Sequence, residues 1–398
     1  MTEKQCFDSS SRLLSLEETL SFIMGFLPVF GITRVANITG LDRIGLPVVS
    51  AIRPNSKSLS VSQGKGLSLN GAKVSAIMEA VEGYHAENIH LPSLFMPFED
   101  LELKAEVADL SGLPRKAHEQ FNPAEKLLWL SAIDLLNEKT VCVPYDCVTA
   151  DLEVHNCPRS VFLPDSTGLA SGNSIIEAQI HAICESIERD ALVMFWSKSV
   201  QEQNNHQVDL QTINDNQCVA IFDKLDKEKI DCAVWDITTD IDVPTYLCKI
   251  FEREFRPDRS VRPTFGSGTH TKPAIALLRA ITEAIQSRAT FISGARDDQY
   301  RKIYQSSLTN TFHASFQTSP PYGEGMRFGT HPDYSFDSQS ENLSWLLAKL
   351  EKAGLEQVLS TDLTRSEFGI PVCKVMIPHL ETVNGTDLRA AGKRILCH

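Results

Sequence analysis

Apolar and polar positions along the chain recur with two periods, one near 3.6 and one near 2, and together they predict alternating helices and strands. Ser15 and Glu18 form a capping-box pattern ahead of a helix over 16–27, which Pro28 ends. Residues 31–55 read as strand, turn at 40–45, strand, and the polar residues 55–66 read as a loop. Residues 88–104, with their prolines and phenylalanines, also read as loop, whereas 122–136 has a helical pattern with Pro123 at a favourable first position. Strands are expected over 140–148 and 160–163, and a polar, uncapped surface loop over 199–208. A helix over 210–225 and strands over 232–237 and 245–251 follow. The basic residues 253–262 read as a solvated connection, with contact to a substrate leader or phosphate as the alternative. Residues 295–335 lack periodicity and predict a long loop. A helix over 341–353 and strands over 357–362 and 370–377 close the chain.

Helix, strand, turn, strand thus recurs at 16–52, 210–251 and 341–377. Pro47, Pro244 and Pro371 each stand at the start of a second strand, where proline is tolerated. Strands joined by such short turns are antiparallel. The expected fold is α/β with largely antiparallel sheets built from duplicated units, not doubly wound. Residues 1–55 are expected to be integral to one composite domain that continues through 56–398.

A second pattern repeats three times, at 64–84, 168–191 and 266–289. Each copy has a glycine-bearing stretch expected to be a loop, then a helix with a central acid: Glu79, Glu185 or Glu283. Alanines precede each acid at helical spacing (Ala72 and Ala76, Ala178 and Ala182, Ala276 and Ala280), and Glu82, Glu188 or Gln286 follows three residues on. Residues three apart leave the same helical face. Three copies of small and acidic residues at distant places point to duplication.

These helices carry the candidate chemistry. Helix N-termini behind glycines suit phosphate, but carboxylates do not unless a cation intervenes. Mg²⁺ resolves that conflict, because it takes one or two carboxylates together with substrate phosphates. Glu79, Glu82, Glu177, Glu185, Glu188 and Glu283 converging would imply more than one Mg²⁺ around a polyphosphate, with Lys65, Arg189 and Arg288 meeting the remaining charge. The pattern predicts a nucleoside triphosphate with its metals, although neither phosphate-loop signature G-x-x-x-x-G-K-[ST] nor G-x-G-x-x-G with its distal acid occurs. His181 reads as a packed core residue, and His270 as either a catalytic group or a loop cap.

Charge and composition narrow the partners. The chain has 398 residues and a formal net charge of −13, which argues against nucleic acid or an anionic membrane as main partner. No apolar run reaches the ~20 residues that span a bilayer, and no signal peptide is evident. The ten cysteines form no C-x-x-C pair. Cys142, Cys147 and Cys157 are spaced poorly for zinc, so the thiols read as structural in a reduced, cytoplasmic protein.

The blocks RPNSKSLSVSQGKGLSLNGAKVSAIMEAVE, TGLASGNSIIEAQIHAICESIERDA and GSGTHTKPAIALLRAITEAIQSRA make the chain resemble the YcaO family. The preceding GITRVANITGLDRIGLPVV resembles members that work with a TfuA-type partner. The resemblance implies a YcaO-type fold, ATP and Mg²⁺ as cofactors, and a homodimer. It implies phosphorylation of a peptide backbone amide oxygen, followed by addition of a nucleophile, in ribosomal peptide or protein modification. A side-chain nucleophile gives an azoline, a sulfur donor a thioamide, an amine an amidine. By motif position Glu79, Glu82, Glu185 and Glu188 resemble Mg²⁺ ligands. Lys65, Ser171, Asn173, Glu177, Arg189, Glu283, Gln286 and Arg288 resemble nucleotide or phosphate contacts. The C-terminal HLETVNGTDLRAAGKRILCH lacks the proline-rich ending of azoline-forming members, which favours thioamide formation with a TfuA-like partner over cyclodehydration with an E1-like one. A non-catalytic ATP-binding accessory role is the alternative. Cys397 and His398 read as a frayed tail.

Overall fold

The computed structural model describes residues 12–152, 160–254, 261–298, 325–382 and 392–396. In chain order the first unit runs α1 (Leu16–Met24), β1 (Arg34–Asn37), β2 (Val48–Ile52), β3 (Val61–Lys65) and α2 (Leu69–Glu87). An intervening segment holds β4 (Ser93–Pro97), α3 (Phe98–Leu101), β5 (Lys126–Asp134) and β6 (Lys139–Pro144). Next come β7 (Leu169–Ser171), α4 (Ile175–Ser197), α5 (Val200–Asn205) and β8 (Val208–Asp209). The second unit follows as α6 (Asn216–Lys227), β9 (Ile230–Asp236), β10 (Thr245–Glu252), β11 (Thr264–Thr269) and α7 (Pro273–Ser293). The chain closes with β12 (Met326–Arg327), α8 (Gln339–Lys352), β13 (Leu359–Asp362), β14 (Val372–Met376) and α9 (Lys393–Leu396).

The two repeats read from the sequence are parts of one larger repeat. Unit one is a sheet of order β1-β2-β3 followed by α2, and unit two a sheet of order β11-β10-β9 followed by α7. The third unit is split along the chain: β13 and β14 come from the C-terminal part, while their neighbour β7, with α4, comes from the middle. All these pairings are antiparallel. The residue after each repeated proline, Val48, Thr245 or Val372, pairs with Lys65, Thr269 or Ser171. Glu79, Glu283 and Glu185 stand the same number of residues beyond those partners. One hydrogen bond recurs as well: Gly66, His270 and Gly172 each donate their amide to the carbonyl of Pro47, Pro244 and Pro371, at 3.3, 3.2 and 3.1 Å.

Several expectations are corrected. The glycine-bearing stretches are strands β3, β7 and β11 with their ends, not loops. Glycine is there so that a helix can lie against the strand backbone. A Cβ on Gly64 would stand 2.1 Å from the Ala76 amide nitrogen, and one on Gly266 would stand 2.1 Å from that of Ala284. The repeated alanines are the other half of this contact, and all six are fully buried. The segment expected as a helix over 122–136 is strand β5, and 88–104 contains β4 and α3. β5 is paired along both edges, to β4 and β13 on one side and β6 on the other, so sheet pairing overrides its local pattern. Residues 160–163 hold only an isolated bridge from Phe162 to Arg115. Residues 199–205 are not an uncapped loop: Ser199 and Glu202 form a full capping box on α5. α6 begins at Asn216, where Asp215 caps it, and not at 210. Cys157, Cys397, His398, most of the basic stretch 253–262 and most of the long segment 295–335 lie outside the described residues.

Each unit has its own apolar core between sheet and helices, and a small cluster of Leu192, Phe195, Trp235 and Leu247 joins α4 to unit two. Among the described residues no helix is long and apolar enough to cross a membrane.

Candidate active site

The acidic helices α2, α4 and α7 meet around one cavity of about 1740 Å³. Their convergence follows from a ring of contacts in which each helix reaches the edge strand of another unit. Glu82 on α2 accepts the amide and hydroxyl of Ser171 on β7 at 2.8 and 2.6 Å. Glu188 on α4 accepts the Ser267 hydroxyl and the Thr269 amide on β11 at 2.7 and 3.0 Å. Gln286 on α7 donates to the Gln63 carbonyl on β3 at 2.7 Å. The residue three past each central acid is thus the fastener, and the central acids are left around the cavity.

Electrostatics separates the corners. Burial pushes Glu82 up to about 8, against its hydrogen bonds from Ser171 and with help from Glu79 and Glu185. Burial likewise pushes Glu79 up to about 7, although Arg296 and Lys65 pull the other way. Glu79 opens onto the cavity, so its shift comes from the low-dielectric walls around it and not from complete occlusion. Burial raises Glu185 too, against Arg189, with Glu188 adding to the rise. The third corner differs. Burial opposes the charge on Glu283, but Lys65, at 2.8 Å, and Arg189 hold it below the ordinary carboxylate range. Arg189 lies 3.3 Å from Glu185, and Glu185, Glu188 and Glu283 outweigh the burial that opposes its charge.

All the sequence-predicted site residues line this cavity except Arg288. Arg288 is fully buried elsewhere, bonded to Asp42 at 3.2 Å and to Glu252 at 2.7 Å, where it ties α7 to unit one. At the far end of the cavity Glu177 accepts the Leu13 amide at 3.1 Å and the Asn173 side chain at 3.1 Å. Asn173 in turn accepts the Thr19 hydroxyl at 3.0 Å, which brings the segment around α1 over the N-terminus of α4.

His181 is not a core residue. It is exposed to the cavity, and its Nε2 accepts from Arg279 at 2.9 Å. The low-dielectric walls of the cavity and then Arg279 hold it neutral, so the ring proton sits on Nδ1. His270 is a loop cap: its Nδ1 accepts the Lys272 amide at 3.0 Å, and burial lowers it to about 3. Sequence reasoning missed Arg12, Asp165, Arg279 and Arg296 on the cavity wall. Arg279 was legible, since it occupies in α7 the repeat position that His181 occupies in α4. The other three lie outside the repeat.

The donor set fits Mg²⁺ and a polyphosphate. Carboxylates held above their usual range in a cavity are short of positive charge, and oxygen is what Mg²⁺ takes. Among the described residues no three His, Cys, Asp or Glu side chains already stand close enough to cage an ion.

A family model described as YcaO cyclodehydratase, ATP- and Mg²⁺-binding, matches residues 63–381. The chain is 32% identical over 379 residues to an uncharacterized protein in the tfuA 3′ region of Rhizobium leguminosarum bv. trifolii, covering 94% of this chain and 89% of that one. It is 33% identical over 397 residues to a protein of Methanothermobacter thermautotrophicus, covering 95% and 97%. A heterocyclase in complex with substrate and cofactor matches the fold with a TM-score of 0.82 at 21% identity, covering 99% of this chain and 56% of that longer one. YcaO from Methanopyrus kandleri, bound with AMPPCP and Mg²⁺, matches with a TM-score of 0.73 at 20% identity, covering 94% and 96%.

Proposed function

The chain belongs to the ATP- and Mg²⁺-binding YcaO family, and on that footing we propose that it uses ATP to activate a backbone amide of a peptide for attack by sulfur. The observation that carries this reading is the trio Glu79, Glu82 and Glu185, held above the ordinary carboxylate range around one cavity, with Lys65 and Arg189 beside them. That charge pattern is completed by a triphosphate and its metals. Glu79, Glu82, Glu185 and Glu188 would hold Mg²⁺, which supplies electrostatic relief to phosphate oxygens when bound.

The chain's own groups have distinct tasks. Lys65 and Arg189 offer cations to phosphate oxygens, while Ser171, Asn173, Glu177, Glu283 and Gln286 shape the nucleotide's surroundings. The cavity is far larger than the few hundred Å³ at the low end of small-molecule sites, which leaves room for a peptide backbone beside the nucleotide. An amide oxygen is a weak nucleophile, so holding it in line with the γ-phosphate must account for much of the rate. In the overall balance sulfide and ATP react with the amide. Sulfur bonds to the carbonyl carbon, the carbon–oxygen bond breaks, and the amide oxygen leaves in inorganic phosphate alongside ADP.

Sulfur is favoured as the nucleophile by the relative in the tfuA 3′ region, and a TfuA-like protein is the partner this reading requires. Attack by a neighbouring Cys, Ser or Thr side chain, giving an azoline, is the second reading. An ¹⁸O-labelled peptide amide, incubated with ATP, Mg²⁺, sulfide and the partner, tests the reaction. The label is expected in phosphate, with sulfur replacing oxygen in the peptide. Loss of water instead of that exchange selects the azoline, and ADP release with the label retained in the peptide contradicts amide activation altogether.

A further inference from the structure

Lys374, in the middle of β14, is a buried cation that the chemistry above leaves unused; it is 2% exposed. Its ammonium donates to the carbonyls of Asp165 and Thr167, the second at 2.8 Å. Both residues belong to the turn that leads into β7, where Pro164, Asp165 and Ser166 line the cavity. The turn is closed by the Thr167 amide on Asp165 Oδ1 at 2.8 Å and the Leu169 amide on the Ser166 carbonyl at 3.0 Å. Gly168, the last residue of the turn, donates its amide to Glu185 Oε2 at 3.3 Å and accepts the Val375 amide at 2.7 Å. Its φ is 76°, and a Cβ there would lie 2.2 Å from the Val375 carbonyl oxygen, so the turn is pressed directly against β14.

The repeat shows that the architecture does not demand a lysine here. In the equivalent register Ser50 of β2 pairs with Gln63, and Leu247 of β10 pairs with Ser267, where Lys374 pairs with Leu169. Burying an ammonium is unfavourable unless its protons are satisfied, and unit three alone carries one at this place. The reason lies in the chain path. In units one and two the middle strand and the edge strand are consecutive in the chain, β2 with β3 and β10 with β11. In unit three β7 comes from a distant part of the sequence, and its lead-in turn has no such link to β14.

We propose that Lys374 is a positioning residue for the metal site: by clamping residues 165–167 from beneath, it sets the Gly168 amide that orients the Glu185 carboxylate. This rests on the reading of Glu185 as a Mg²⁺ ligand. The clamp acts on the ligand's direction and not on the nucleotide, so its loss raises the Mg²⁺ requirement without abolishing nucleotide binding once Mg²⁺ is saturating.

Calorimetric titration of the full chain with AMPPCP over a series of Mg²⁺ concentrations tests it. Lys374→Met keeps the apolar stem and removes the donors; the Mg²⁺ concentration for half-maximal nucleotide affinity should rise roughly tenfold or more, with affinity retained at saturating Mg²⁺. Lys374→Gln, which keeps an N–H donor without the charge, should show a smaller rise. A wild-type Mg²⁺ requirement in both variants overturns the inference, as does affinity lost equally at every Mg²⁺ concentration, the mark of a general loosening. If Lys374→Met does not fold, Lys374→Gln decides alone; if neither folds, the lysine serves the fold only and the inference falls. A wild-type protein that binds AMPPCP without any need for Mg²⁺ removes instead the reading of Glu185 on which the inference stands.

Discussion

Ser171 gives both its amide and its hydroxyl to one oxygen of Glu82, at 2.8 and 2.6 Å, from the edge strand of one unit to the acidic helix of another. Glu188 repeats the arrangement with Thr269 and Ser267, and Gln286 reaches Gln63 in the same sense. The site is therefore assembled by a ring of helix-to-strand contacts between units, and the central acids stand around the cavity.

The raised carboxyls make the metal-free protein pH-sensitive. Glu79 and Glu82 have folded values of about 7 and about 8, above those of an unfolded glutamate. Their contribution to stability is complete below the unfolded value and is lost as pH rises from there through the folded values. The Tm without metal should fall between about pH 4.5 and about pH 8 and level off above, and Glu82→Gln should flatten the fall. Mg²⁺ with AMPPCP should raise Tm more at the upper end. Thermal denaturation across that range checks all three.

Lys65 and Glu283 neutralise the third corner, 2.8 Å apart and each about a quarter exposed. A double-mutant cycle with Lys65→Met and Glu283→Gln should give a coupling of about 1 kcal/mol, tempered by solvent screening. The Lys65→Met variant should also weaken MgATP binding, whereas additive stabilities would show that the pair is not energetically linked.

Arg288 belongs to the scaffold. Cutting it to methionine leaves Asp42 and Glu252 buried beside Arg43 with one cation fewer, at a cost of about 3–5 kcal/mol. Denaturant unfolding should show that loss, while nucleotide affinity per folded molecule stays at the wild-type level.

Gly64 sets the distance between β3 and α2. Gly64→Ala places a methyl 2.1 Å from the Ala76 nitrogen and 2.3 Å from the Ala72 carbonyl oxygen. Neither atom can swing aside, so the variant should lose about 3 kcal/mol or more and shift Glu79 with its helix. A stable Gly64→Ala protein with normal nucleotide binding would show that this approach does not matter.

Much of this was legible in the sequence because helical spacing reports directly on faces. Glu185 and Arg189 are four apart and do meet, and the three acids with their alanines marked three like helices. Arg288 was misplaced for the same geometric reason: it stands two after Gln286, and residues two apart do not share a face. The glycines misled because a glycine that admits a neighbouring backbone looks, in sequence, like one that makes a turn. Pro123 suggested a helix start at what is the approach to β5, since the pairing of β5 to β4 and β13 is non-local and invisible to a window of neighbours. The repeat's third copy was split between 169–197 and 339–376, so only the structure joins β7 to β14. Ser199 and Glu202 carried the same capping signature as Ser15 and Glu18 and could have been read.

The central claim is that glutamates from separate segments of the chain share one divalent-metal and nucleotide site. Electron paramagnetic resonance of Mn²⁺ added with AMPPCP reads it directly. Wild-type protein should take up Mn²⁺ in a nucleotide-dependent manner, and Glu79→Gln and Glu185→Gln, on different helices, should each release it while remaining folded. Undiminished Mn²⁺ uptake by both variants would contradict the account.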